Sequence, residues 1–205
     1  ARRQRQMCIR DRDAGKWWPA ETKFEILVGS VLTQNTTWTS VEKSLENLRK
    51  EGLLDPMRLA GVKPDELETL IRPSGFMRAK ARYLKNLTEW YIKTDDRAGE
   101  IDTPTLRNSL LQVPGVGEET ADDILLYAYD RTVFIFDAYA RRLLAAAGLG
   151  EFRTYRQARQ ACDAAWRAEG FTVAELALFH GLVVQAGKDC LLYTSDAADE
   201  RSSVD

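Results

Sequence analysis

Two features of the segment 110–137 could do chemistry together: a glycine-bearing turn and an aspartate beyond it. The turn reads Val113-Pro114-Gly115-Val116-Gly117 and runs on into Glu118-Glu119-Thr120-Ala121. Gly115 and Gly117 allow a tight turn and a close backbone approach to a partner. The N–H groups of such a hairpin, and of the first turn of the helix after it, are placed to grip a phosphate. Asp137 stands 20 residues beyond Gly117, behind the apolar run Val133-Phe134-Ile135-Phe136. A carboxylate there can stabilise developing positive charge and orient or deprotonate a water. It can equally be the N-cap of the helix that follows, and one residue can do both.

Helices must position these groups, because the apolar residues recur with helical spacing almost throughout. Phe24, Leu27, Val28, Val31 and Leu32 fall on one helical face, and Val41, Leu45 and Leu48 on another. Pro64 opens a short helix over Asp65 to Ile71, and Leu84, Leu87 and Tyr91 mark a longer one. Asp102-Thr103-Pro104 caps a helix that runs to Gln112, in front of the turn. Ala121, Ile124, Leu125 and Ala128 stripe the helix behind the turn. Ala140, Leu143, Leu144 and Ala147 stripe the one behind Asp137, which Gly148 ends. Two more helices carry Tyr155 to Trp166 and Leu176 to Gly187, and His180 falls on the apolar face of the last, as a core histidine would. Only Val133–Phe136 could be a strand. With no second strand to pair with, it reads as an extended buried connector, and the fold class is all-α.

A chain of 205 residues, 44% hydrophobic and 29% charged, can build an ordinary globular core. It holds no apolar run of the roughly 18 residues that a membrane span needs, and the polar, Arg-rich N-terminus is unlike a signal peptide. Cys8, Cys162 and Cys190 lie too far apart to suggest a disulfide framework, which fits a reducing cytoplasm. Residues 1–12 and 191–205 resemble translated sequencing-adaptor DNA and are expected to be non-native, leaving 13–190 as the core. The formal net charge is −2, and removing both ends leaves the core mildly acidic. Any contact with nucleic acid must then use a local patch.

The turn, its flanking helices, the Thr120-Ala121 pair and the spacing to Asp137 resemble the helix-hairpin-helix motif and catalytic aspartate of the endonuclease III (HhH-GPD) superfamily of DNA glycosylases. The resemblance implies two helical subdomains flanking a cleft: a block over 28–131, and a second bundle from 13–27 plus 132–190. It implies a monomer acting on damaged double-stranded DNA, with Val113, Gly115, Gly117, Glu119 and Thr120 at the phosphate. Bifunctional members have a lysine at the position of Glu119, which attacks the sugar and forms a Schiff base. Glu119 cannot, so the chain resembles the monofunctional branch, in which water is the nucleophile.

Trp17-Trp18-Pro19, Val31-Leu32-Thr33-Gln34-Asn35-Thr36 and Ile71-Arg72-Pro73-Ser74-Gly75-Phe76 with Lys80-Ala81 are similar to the bacterial 3-methyladenine glycosylases of that superfamily. In that group aromatic walls line the base pocket, which places Trp17 or Trp18 and Trp38 around a flipped base; core packing is the other use of these residues. Stacking suits an electron-poor, often cationic N-alkylated purine. Gln34 and Asn35 would fill the hole left in the duplex, or serve as a polar cap or helix contact. Lys188 matches a lysine near the pocket, and a solvated helix end is the other reading. Many relatives bind a [4Fe–4S] cluster through a four-cysteine loop; Cys190 would be its first ligand, and the other three are absent here. The function so implied is base excision repair: hydrolysis of the N-glycosidic bond of alkylated purines in bacterial DNA. The alternatives are an endonuclease III-like glycosylase and AP lyase, or a non-catalytic helix-hairpin-helix DNA-binding module.

Overall fold

Helix starts in this chain are set by side-chain caps. Thr22, Asp55, Asp102, Asp137 and Thr154 each accept a backbone N–H from the first turn of a helix, satisfying donors that have no intrahelical acceptor. The structure, a computed structural model, describes residues 18–202, with side chains to residue 188. The described helices are α1 (Lys23–Leu32), α2 (Trp38–Lys50), α3 (Pro56–Gly61), α4 (Pro64–Leu70), α5 (Met77–Thr94) and α6 (Thr103–Leu111). They continue with α7 (Glu118–Tyr127), α8 (Ala138–Ala146), α9 (Tyr155–Ala168) and α10 (Val173–Ser202). Short 3₁₀ turns cover Arg72–Ser74 and Asp95–Glu100. No strand occurs among the described residues, so the all-α expectation holds. The helix missing from the sequence reading is α3, although Asp55-Pro56 carries a cap and a proline at its first position.

The chain divides into two units, the larger spanning Trp18–Arg131. At its centre is α1, which packs against α2, α5 and α7. Leu27, Val28, Val31 and Leu32 are at most 1% exposed, and Gly29 and Ser30 on the other faces are buried too. A helix buried on nearly every side has no solvent face to mark a boundary. The expected block began at residue 28; that residue lies in the middle of α1, so the unit begins at Trp18 instead. The hairpin helices α6 and α7 pack together in this unit. Arg107 of α6 forms a two-pronged ion pair with Asp122 of α7, at 2.7 and 3.0 Å, with both side chains buried.

The smaller unit runs from Thr132 onward; the stretch 13–17, expected to join it, lies outside the described residues. The connector over 133–136 is buried, as its pattern suggested, lies in neither helix nor strand, and hands the chain to α8. Its aromatic side chains build the core of the unit. Phe134 stacks on Trp166 of α9 at 4.1 Å and 13°, and meets Phe136 edge-on at 4.6 Å. Both α9 and α10 pack on α8.

Candidate nucleic-acid interface and active site

The hairpin is closed from within and braced from outside. The Val113 N–H donates to the Leu110 carbonyl and the Val116 N–H to the Val113 carbonyl, each at 3.0 Å. The Val113 side chain is buried, and its N–H and carbonyl each make a bond inside the turn. The two glycines serve different ends. Gly115 has φ +103°, and a Cβ on it would lie 2.2 Å from the Tyr83 ring. Gly117 has φ −90°, and a Cβ there would meet nothing within 4 Å. Gly115 is thus required by the protein itself, whereas Gly117 faces open space where a backbone-gripped group can approach.

Gly117 is the N-cap of α7 and gives it no side-chain cap, the arrangement in which a helix start can hold an anion. Two acidic residues, Glu118 and Glu119, share that first turn. Glu118 lies 3.9 Å from Arg107, and Glu119 is exposed. The Thr120 side chain is buried, so its hydroxyl faces inward and accepts a 3.0 Å hydrogen bond from Gln34 Nε2. That same amide donates to the Gly115 carbonyl at 3.0 Å, and Asn86 Nδ2 donates to the Pro114 carbonyl at 3.0 Å.

Gln34 and Asn35 follow Thr33, the C-cap of α1. Asn35 is exposed with φ +52°, in the left-handed region that asparagine enters more readily than most residues. The turn is held from below by Lys80, a fully buried lysine of α5. Its ammonium donates to the last carbonyl of α1, at Leu32, at 2.8 Å and to the Ser74 carbonyl at 2.7 Å. Burial pushes its pKa down to about 8, because desolvation disfavours the charged form. Just ahead of α5, Phe76 also has a positive φ, +47°, and is 69% exposed. A large aromatic ring held out on a strained residue beside a polar turn is a group that a partner would cover. A lone phenylalanine after Gly75 gave no periodic signal by which to find it.

Trp18 and Trp38 are brought together in the larger unit, but not as parallel walls. Their rings meet edge to face, 5.6 Å apart and at 85°. A base held between two rings needs a stacking distance of about 3.5 Å on each side, so these two do not form the expected sandwich. The Trp18 ring is instead packed by Tyr127 at 5.3 Å and 47°, and rests on Gly29, where a Cβ would come within 3.2 Å. Its indole N–H is buried without an acceptor. Trp38 is turned by Glu42, whose carboxylate accepts its indole N–H at 3.0 Å. Sequence reading missed Tyr127; it stands off the apolar stripe of α7, which was the available signal. Trp17 lies outside the described residues.

In the smaller unit Asp137 is both buried and capped. Its Oδ1 accepts the Ala140 N–H at 2.7 Å and starts α8. Its Oδ2 lies 3.6 Å from Nε2 of His180 on α10, and both residues are 8% exposed. The only histidine of the chain is therefore in the core, as its apolar face suggested, and it stands beside the Asp137 carboxylate. The cap fixes one oxygen and the direction of the other. Lys188 is exposed on α10, and the side chain of Cys190 lies outside the described residues. Of the other cysteines, Cys162 lies in α9 and Cys8 lies outside the described residues.

The chain resembles known proteins along most of its length. Residues 28–168 match the family model of the HhH-GPD superfamily base excision DNA repair proteins. A protein of Methanocaldococcus jannaschii, named as a candidate DNA repair glycosylase, is 46% identical over 138 residues, 65% of this chain and 63% of its own length. The match thus spans somewhat under two thirds of that relative. Endonuclease III of Sulfolobus acidocaldarius is 30% identical over 169 residues, 82% of this chain and 74% of that protein. The crystal structure of the H. pylori 3-methyladenine DNA glycosylase MagIII bound to 1,N6-ethenoadenine superposes with a TM-score of 0.76 at 28% identity, covering 92% of this chain and 95% of that one. With the hairpin, the helical architecture and a family match over 28–168, this chain belongs to the HhH-GPD superfamily of base excision DNA repair proteins.

Proposed function

We propose that the chain is a monofunctional DNA glycosylase that hydrolyses the N-glycosidic bond of alkylated purines such as 3-methyladenine. The observation that carries this reading is the Asp137 carboxylate: one oxygen is fixed by the helix cap and the other lies outside the cap, beside His180. An N-alkylated purine is already a good leaving group, so the barrier lies in the positive charge that builds on the deoxyribose. A buried, preorganised carboxylate stabilises that charge and takes a proton from the attacking water. The water oxygen bonds to the sugar carbon, the base leaves with the bonding electron pair, and an abasic site remains. The hairpin holds a phosphate, and the Trp18, Trp38 and Tyr127 rings offer π-faces to an electron-poor base. MagIII, similar to this chain at 28% identity, was crystallised with an ethenoadenine, a modified purine.

A lyase activity needs a reactive amine near the sugar. Position 119 is glutamate. Lys80, the lysine whose pKa falls to about 8, is 2% exposed and held by two carbonyls, so it is no Schiff-base nucleophile. The test is base release from alkylated duplex DNA with and without alkali. Free base should appear at once, and strand breaks only after alkali. Trapping of a covalent adduct with borohydride would show the bifunctional reaction instead, and absence of base release from every lesion would leave only a DNA-binding module.

A further inference from the structure

A carboxylate as deeply buried as that of Asp137 is costly unless both of its oxygens find donors. The helix cap serves one of them: Oδ1 accepts the Ala140 N–H at 2.7 Å. Nε2 of His180 lies 3.6 Å from the other, Oδ2, and the imidazole is just as deeply buried. That separation is longer than a formed hydrogen bond, as contacts in an active site often are before substrate arrives. The packing of α10 on α8 is close at a second point. Gly187 stands seven residues beyond His180 on α10, and residues at that spacing share a helical face. A Cβ on Gly187 would lie 2.1 Å from the ring of Tyr139, in the first turn of α8. One face of α10 is thus seated on the start of α8, with His180 beside the residue that caps it. The cation nearest along the chain, Arg141, is turned to the backbone: its Nη1 donates to the Phe136 carbonyl at 2.8 Å.

We propose that His180 is a positioning residue for base release, holding the second oxygen of Asp137 in place while leaving the carboxylate its full charge. The proposal rests on the reading that Asp137 acts on the sugar and its attacking water. A neutral imidazole with its proton on Nε2 donates to Oδ2 and fixes the plane of the carboxylate. An arginine or lysine at this position would fix it too, but would offset the negative charge that must answer the positive charge developing on the sugar. Histidine orients the group without that cost. With the cap on one oxygen and the imidazole on the other, the carboxylate needs no reorganisation at the moment of reaction. In this role His180 acts through Asp137, so it governs the rate of the chemical step and not the affinity for DNA.

The test is single-turnover base release from methylated duplex DNA, beside anisotropy binding to a duplex carrying a tetrahydrofuran abasic analogue. His180→Leu keeps an apolar side chain on an apolar face, so the melting temperature should not fall. Its rate of release should drop on the order of 10- to 100-fold, the equivalent of one hydrogen bond to a charged group, with binding unchanged within about twofold. His180→Gln, whose amide keeps an N–H at a similar reach, should recover most of that rate. In an Asp137→Asn background, His180→Leu should cost nothing further, because a residue acting only through the carboxylate has nothing left to act on. If His180→Leu does not fold, His180→Met is judged by the same pattern. Unchanged release by the apolar variant would overturn the proposal, and so would full additivity with Asp137→Asn. Equal losses for the apolar and glutamine variants that follow a lowered melting point would also overturn it and make His180 a packing residue. A wild-type protein that releases no base from the methylated duplex would bring down the glycosylase reading, and this one with it, before any variant is compared.

Discussion

Aspartate and asparagine are near equals as N-caps and unlike as charges, which makes Asp137→Asn the informative change at this site. The amide oxygen can still accept the Ala140 N–H, so α8 should start where it does now and the melting temperature should stay within a few degrees. Base release in single turnover should fall by roughly 10²–10³-fold, the range for losing one preorganised electrostatic group. Asp137→Ala should add a loss of about 1 kcal/mol of stability from the missing cap. If Asp137→Asn keeps its activity while Asp137→Ala melts early, Asp137 is a cap and nothing more. The cap formed by Asp137 was legible in the sequence because capping is local information. Its neighbour His180 was legible only as a buried residue. The contact between them joins positions 43 apart through the packing of α8 and α10, and no spacing rule encodes that.

Within the helix-hairpin-helix, the two glycines stand in unlike surroundings. Gly115→Ala puts a Cβ into the Tyr83 ring and an L-residue at φ +103°, a strain of about 1–3 kcal/mol before any repacking. It should lower the melting temperature. Gly117→Ala adds a methyl group to open space at an ordinary φ and should leave melting unchanged. Its cost should appear in duplex binding, about equally for damaged and undamaged DNA. The reverse pattern would place the anion grip elsewhere. That a turn lay at 113–117 was readable from composition. Which glycine served the fold was not, because Tyr83 approaches from a helix 32 residues upstream. The burial of Val113 was not readable either, because an apolar residue in a turn can look outward or inward.

At the scale of the whole molecule, stability carries the mark of Lys80. Its pKa is about 8 in the folded protein against an ordinary 10.5. Below about 8 the interior must hold an ammonium, and the cost of burying that charge is present in full. From about 8 toward 10.5 the folded state gives up a proton that the unfolded chain retains, so the free energy of unfolding rises with pH through this group. Burial acts oppositely on Tyr91, whose phenol is raised to about 12: above its ordinary pKa of 10 the unfolded chain ionises first and stability falls. The variant Lys80→Met shares every other titration, so the comparison isolates the lysine. It leaves two buried carbonyls unpaired, at about 1–3 kcal/mol each, and should be less stable than the wild type at pH 7. That gap should widen between pH 8 and 10.5 in urea titrations. A gap of constant size would mean that Lys80 does not titrate in that window. Most helices were legible from the apolar periodicity. The start of the larger unit was not, because α1 is buried on nearly every side and its pattern carries no edge.

The brace on the hairpin has a consequence for protein engineering. Gln34, Tyr83 and Asn86 reach the turn from outside its own two helices, so segment 103–127 is not a self-contained cassette. Grafted alone onto another scaffold, it would arrive with an unheld carbonyl at Gly115 and a bare ring socket above it. A transplant that carried the three supporting side chains, in their present geometry, would move the braced turn whole; one copied by sequence motif would move only its outline.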